Sequence, residues 1–213
     1  MLKKVLLLCL LLKAVVAFSQ DSWKLNTEKE GIKIYTRPVA NSKLSATKVE
    51  CSFPVRQAQL VYVILDIDHC HEWLYHNKLC KLVKQVSPSD LYYYAEVSAP
   101  WPAQNRDYIT HLMVSQNPKT KIVTIDALSA PDMLPVKPNI VRVTHSVDKW
   151  TIYPYENNAI KVSFEIEVDP SGSVPAWMTN LFATQGPMET FQKLKLQVQK
   201  KEYKDVKLGY LVE

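Results

Sequence analysis

Between Ile160 and Val168 the chain alternates without a break. Ile160, Val162, Phe164, Ile166 and Val168 take one face of a strand, and Lys161, Ser163, Glu165 and Glu167 take the other. The same two-residue period predicts strands over Gly31–Arg37 and Ala46–Phe53, joined by a polar turn at Asn41–Lys43. It returns over Lys81–Val86, Leu91–Ser98, Arg106–Ser115, Lys121–Leu128 and Ile140–Lys149. Two stretches break it. Arg56–Leu65 carries apolar residues at helical spacing, with Asp66–Tyr75 following as a short helical or turn segment. From Pro175 onward, Trp177, Leu181, Met188, Phe191, Leu194 and Val198 recur at helical spacing and form one stripe. Pro175 suits a first helical turn, and Asp169-Pro170-Ser171-Gly172 before it is turn chemistry. Gly186-Pro187 removes a backbone hydrogen bond and should kink this helix. Successive short strands need antiparallel pairing, and a sheet with one dry face needs a cover. The expected fold is α+β: a curved antiparallel sheet wrapped around a long C-terminal helix, with an internal cavity between them.

Residues 1–19 stand apart from this pattern. Lys3 and Lys4 precede the apolar run from Val5 to Leu12, and Ala14 to Ser19 ends in small residues, the pattern of a secretory signal peptide. The run is too short to cross a bilayer, and Lys13 interrupts it. Residues 20–213 are then expected to form one domain, exported to the periplasm or the extracellular space. Removing residues 1–19 lowers the formal charge from +5 to +2, which is no nucleic-acid signature. Cys51, Cys70 and Cys80 remain. An odd number leaves one thiol unpaired within the chain, so a disulfide framework is not expected, and a single bridge between Cys70 and Cys80 stays open.

Catalytic and cofactor signatures are sparse. Four glycines, at 31, 172, 186 and 209, provide no dinucleotide or phosphate-cradling loop, and no Gly-x-Ser-x-Gly elbow occurs. His69, Cys70, His71, His76 and Cys80 fall close together and are zinc-type ligands. On a helix, however, His71 and His76 would lie about 140° apart rather than on one face. No metal and no cofactor are expected. A cavity enzyme would need an inward ionisable group with a shifted pKa, for which His111 and Asp126 are the candidates. Alternation places His111 away from the inner face. The lysine-rich end, with Lys200, Lys201, Lys204 and Lys207, reads as a solvated helix end complementing the negative helix dipole.

Four ordered motifs carry a resemblance that covers nearly all of residues 20–213. They are Gly31-Ile32-Lys33-Ile34-Tyr35-Thr36-Arg37, Glu72-Trp73, Asn105-Arg106-Asp107-Tyr108, and the run from Asp169-Pro170-Ser171-Gly172 through Pro175 to Asn180. In this order, with this number of strands between them, the chain resembles the START domain, the StAR-related lipid-transfer family. It is read as an exported member of bacterial type. The resemblance implies the helix-grip (START, or Bet v 1-like) fold, a tunnel holding one lipid, and gating by the C-terminal helix and the loop Ala130–Asn139. It also implies that Arg106 and Asp107 are structural, together with Trp73, Asp169, Pro170, Gly172 and Pro175. Some sterol-binding relatives carry a second arginine six residues after the first. Here that position is Leu112, which points to a more apolar cavity.

Alternation from Arg106 puts Tyr108, Thr110 and Leu112 on the expected cavity wall. Tyr93, Tyr94 and Trp150 are candidate sources of sparse polar contacts, with Tyr94 and Trp150 taken as lining. Met133 and Leu134 on the gate loop, and Trp177, Met178, Leu181 and Met188 on the helix, complete the expected lining. The expected activity is binding, and transfer between membranes, of one lipid or hydrophobic small molecule by a monomer that touches a membrane transiently. A cyclase or hydrolase acting on a hydrophobic substrate in the same cavity is the alternative.

Overall fold

The computed structural model describes residues 22–39, 45–156, 158–172 and 181–212. The signal-peptide segment, the Asn41–Lys43 turn, Pro175, Trp177 and Met178 lie outside the described residues, as does the side chain of Leu181. Ten strands form one sheet: β1 Lys24–Lys29, β2 Ile32–Pro38, β3 Ser45–Phe53, β4 Asn77–Ser87, β5 Asp90–Val97, β6 Arg106–Gln116, β7 Val123–Ser129, β8 Val141–Arg142, β9 His145–Pro154 and β10 Ile160–Asp169. Their order is β1-β2-β3-β10-β9-β7-β6-β5-β4, antiparallel throughout, with β8 alone pairing parallel to β6. Between β3 and β4 the chain crosses to the far edge of the sheet. It does so through helix α1, Gln57–Leu65, and a 3₁₀ segment, Ile67–Glu72. The C-terminal helix α2 spans Gly186–Gln197. This is the helix-grip fold.

Two boundaries differ from the sequence reading. Lys24–Lys29 is an edge strand, exposed along most of its length, so it has no apolar alternation to announce it. The strand expected over Ile140–Lys149 is divided: Val141 and Arg142 pair with the start of β6, and β9 begins at His145 and runs past Trp150 to Pro154. Backbone pairing, not periodicity, sets that break.

The interruption expected at Gly186-Pro187 takes a specific form. A wide π-type segment, Leu181–Gln185, runs into the regular helix there. Proline lacks the N–H that would have bonded the carbonyl four residues back, at Ala183. The Thr47 hydroxyl on β3 donates to that carbonyl at 3.3 Å. Farther along, Phe191, Leu194 and Val198 are fully buried against the sheet. Phe191 sits 5.3 Å from the Trp150 ring and 5.7 Å from Phe164, which are themselves 4.4 Å apart. These three rings join α2 to β9 and β10.

The entry of β6 gathers several elements. Arg106 donates to the carbonyls of Gln104, Pro170 and Ser171, so it holds the turn that follows β10. In that turn Ser171 and Gly172 both have positive φ, 57° and 66°, a backbone that suits glycine. Asp107 faces the other way. It accepts two hydrogen bonds from Arg142, at 2.8 and 3.0 Å, in a pair that is almost wholly buried. Arg142 also donates to the carbonyls of Pro131, Leu134 and Pro135. Removing one member of such a pair leaves a buried charge without its partner. Arg142→Met is therefore expected to destabilise the fold by about 3–5 kcal/mol in urea unfolding, with Asp107→Asn/Arg142→Met recovering part of that loss. A single variant within 1 kcal/mol of the parent, on the order of an exposed pair, would show that the pair does not hold this corner.

Candidate functional site

Strand alternation and sheet curvature turn one row of side chains toward α2, and a cavity of about 270 Å³ opens between them. Register defines the wall. Leu112 on β6 stands opposite Ala127 on β7, which stands opposite Asp148 on β9, which stands opposite Ile166 on β10, which stands opposite Thr47 on β3. All five line the cavity. A second row of Trp150 and Phe164 adds aromatic surface, and Phe191 with Pro187 contributes from the helix. Ile64, Ile67 and Cys70 close the side formed by α1 and the 3₁₀ segment.

Of the residues expected to line the cavity, Tyr108, Thr110, Leu112 and Trp150 do so. Tyr94, Met133, Leu134 and Met188 are not among the described residues of its wall. Tyr93, not Tyr94, shares the inner face of β5, because it pairs across to Thr110. Tyr94 lies on the opposite face with the Lys137 ammonium 4.2 Å from its ring centre. The Ala130–Asn139 loop is fastened through Arg142 to Asp107, whose side chain points away from the row of Arg106 and Tyr108; Met133 is accordingly 40% exposed. Met188 is partly buried and packs against the core beside the cavity. Trp73 lines the cavity, and its buried indole N–H has no hydrogen-bond partner among the described residues. Arg106 lies on the wall as well as in the corner described above.

The histidines and cysteines grouped in sequence are dispersed in function. Cys70 and Cys80 form a disulfide between the 3₁₀ segment and β4. His69 bonds the Asp66 carboxylate, and the His71 ring bonds the Asp68 carbonyl. Of the two candidate inward ionisable groups, His111 stacks on Tyr92 and bonds Asp90 at 2.8 Å on the outer face. Asp126 is out of phase with the inward residues Ile125 and Ala127.

The inward acid is Asp148, which the sequence reading passed over. It lay at the end of an expected strand with no alternation clear enough to orient it. Correct placement of β9 puts Ser146, Asp148 and Trp150 on one face, all on the cavity wall. Ser146 donates to Asp148 at 2.6 Å, and among the described residues no cationic side chain is paired with it. Burial pushes its carboxyl up to about 7, against the opposing effect of the Ser146 hydrogen bond. Burial also pushes the facing hydroxyl of Tyr93 up to about 12 and that of Tyr108 upward, the nearby Asp148 charge adding to both. The site therefore offers an apolar chamber, a few hydroxyls and one carboxyl group.

A curved sheet gripping a C-terminal helix over such a chamber defines a helix-grip protein. The chain belongs to the START family: the START domain model matches residues 9–204. It is similar to the phosphatidylcholine transfer protein of Mus musculus, with 29% identity over 179 residues and 80% of each chain covered. It is also similar to the crystal structure of the STAR-related lipid transfer protein from Xanthomonas axonopodis. That likeness has a TM-score of 0.78 and 28% identity, and covers 84% of this chain and 100% of the other. Human STARD10 shares the fold at a TM-score of 0.70 and 19% identity, over 87% of this chain and 76% of its own.

The Asp148 carboxyl makes stability depend on pH in a definite sense. An unfolded aspartate loses its proton near pH ~3.9. Between there and about 7 the folded chain holds a proton that the unfolded chain has lost. Stability from this group falls as pH rises through that window and stays reduced above it. Tyr93 and Tyr108, which face the carboxyl, stay neutral there; Arg106 and His76 are the other titratable side chains named on the same wall. Asp148→Asn is expected to gain roughly 2–4 kcal/mol over the parent at pH 8 and little at pH 4, read by urea unfolding at both. An equal gain at the two pH values would remove the titration from the explanation.

Proposed function

We propose that this protein binds one lipid or similar hydrophobic molecule in the cavity and carries it between membranes unchanged, acting as a monomer. The observation that carries this reading is the apolar chamber between sheet and helix in a START-family fold. Two relatives named as lipid transfer proteins support it. Burial at about 25 cal/mol per Å² makes an acyl chain or ring system prefer such a chamber to water. Release then needs only an opening at a bilayer, which offers equal burial.

Two loops mark the end at which a membrane would be met. The segment before β6 and the segment before β8 leave the sheet together, because Arg106 pairs parallel with Val141 and Asp107 with Arg142. Ser98, Ala99 and Pro100 of the first line the cavity, and the next residue, Trp101, is 91% exposed. The second displays Met133 and Val136, the latter 72% exposed, with Lys137 beside them. Large apolar side chains left in water beside a cavity favour a contact with lipid. No helix among the described residues is long and apolar enough to cross a membrane, which suits contact at the surface by this route.

Export is part of the proposal. The basic and apolar pattern of residues 1–19 supports it, and so does the Cys70–Cys80 disulfide, a bond that persists in oxidising compartments.

Mass spectrometry of the purified protein, in its native state and after organic extraction, is expected to find one unaltered lipid per chain. An empty protein, or one that converts an offered lipid into product, would overturn the carrier reading. Trp101→Ala is expected to leave stability unchanged, since the ring is already in water, and to weaken co-sedimentation with lipid vesicles about tenfold. Unchanged sedimentation would remove this loop from the membrane contact.

A further inference from the structure

We propose that the cavity selects a ligand carrying an ammonium group, which Asp148 receives. This rests on the carrier reading and specifies the class of molecule carried. Asp148 is costly where it stands. Its neighbours in register are Ala127 and Ile166, and the next pair along is Trp150 and Phe164. A carboxylate taken out of water into such a wall is stable only with hydrogen bonds and an opposite charge. Ser146 supplies one hydrogen bond. None of the described ion pairs includes Asp148, and Arg106, the guanidinium on the same wall, donates to the carbonyls of Gln104, Pro170 and Ser171 at the entry of β6.

A ligand can bring it. An ammonium head placed against Asp148 finds further oxygen atoms on the same wall, the hydroxyls of Ser146, Tyr93, Tyr108 and Thr110. Tyr93 and Tyr108 pack edge to face, their ring centres 6.1 Å apart, and Trp150 with Phe164 offers aromatic faces to a cation. The apolar remainder of the ligand then lies along Leu112, Ile166 and Phe191. The same carboxylate repels a ligand whose head is a carboxylate. An uncharged alcohol can only accept or donate a hydrogen bond there, without balancing the charge. The order of preference is therefore ammonium over alcohol over carboxylate. An ammonium head occurs on a single-chain amine and on an aminophospholipid, and the recognition chemistry is shared.

Titration calorimetry at pH 8.5 with decylamine, decanol and decanoate holds the chain constant and varies the head. The native protein is expected to bind decylamine at least tenfold more tightly than decanol, with decanoate weakest. In Asp148→Asn the amine-to-alcohol ratio is expected to fall to within twofold, with thermal unfolding confirming that the variant is folded. Equal binding of amine and alcohol by the native protein overturns the proposal and leaves the carrier reading standing. So does a loss that is equal for all three ligands in Asp148→Asn. Absence of binding for all three overturns the proposal, while an unaltered lipid recovered from the purified protein keeps the carrier reading standing. Extraction from vesicles of phosphatidylethanolamine, against phosphatidylcholine and phosphatidylglycerol with matched chains, separates the sources. Preference for phosphatidylethanolamine supports the proposal with a phospholipid head. Amine selectivity without phosphatidylethanolamine extraction supports it with a single-chain amine.

Discussion

The corner at the start of β6 holds together parts of the chain that no local rule would bring near each other. Arg106 and Asp107 are neighbours on a strand and so point to opposite faces. One reaches the carbonyls after β10, just before the C-terminal helical region; the other holds Arg142 and, through it, three carbonyls of the Pro131–Pro135 loop. A guanidinium suits this task because its donors fan out in a plane, whereas an ammonium group is a point. Two adjacent residues thus set the position of a loop, a turn and the short strand β8 at one end of the cavity.

The cavity itself follows from a mismatch between how sheet and helix fill space. A strongly curved sheet presents a concave face, and α2 touches it along the Phe191, Leu194 and Val198 stripe. Trp150 and Phe164 fill the contact under Phe191. Toward the N-terminal side of Pro187, Ala183 of the wider π-type segment and Gly186 at the start of α2 lie on the cavity wall. Small residues there leave the concavity unfilled. A cavity enclosed by apolar side chains costs lost packing. A bound apolar ligand restores those contacts.

Much of this was legible in residue order. The period of two over Ile160–Val168 and the helical stripe of Phe191, Leu194 and Val198 record which faces are dry, and burial is what selects them. The inward row of Tyr108, Thr110 and Leu112 was equally readable, because Arg106 fixes the phase of β6. What was not legible depends on phase or pairing that composition hides. Tyr92, Tyr93 and Tyr94 are identical in type, so only the register with Thr110 decides that the middle one faces inward. Met133 and Leu134 look like lining by hydrophobicity, yet carbonyl bonds to Arg142 tie their loop to the corner at Asp107. Asp148 was hidden for a third reason: a polar residue on a dry face breaks the very alternation used to find that face.

Among the described residues, several side-chain bonds of the C-terminal helical region gather at its C-terminal end. At its C-terminal end the Val198 carbonyl accepts from buried Gln59, the Lys204 carbonyl from Arg56, and the Tyr203 hydroxyl donates to Asp66. Lys200 pairs with Glu72, and Thr190 accepts from the Tyr75 amide. These partners belong to α1, the residue that precedes it and the segment after it, which the Cys70–Cys80 disulfide ties to β4. At the other end, among the described residues, the side-chain bond from Thr47 to Ala183 spans the gap to the sheet. The described side-chain bonds therefore seat the half of the helix that carries Phe191, Leu194 and Val198, and that half is the one whose apolar stripe is fully buried against the sheet.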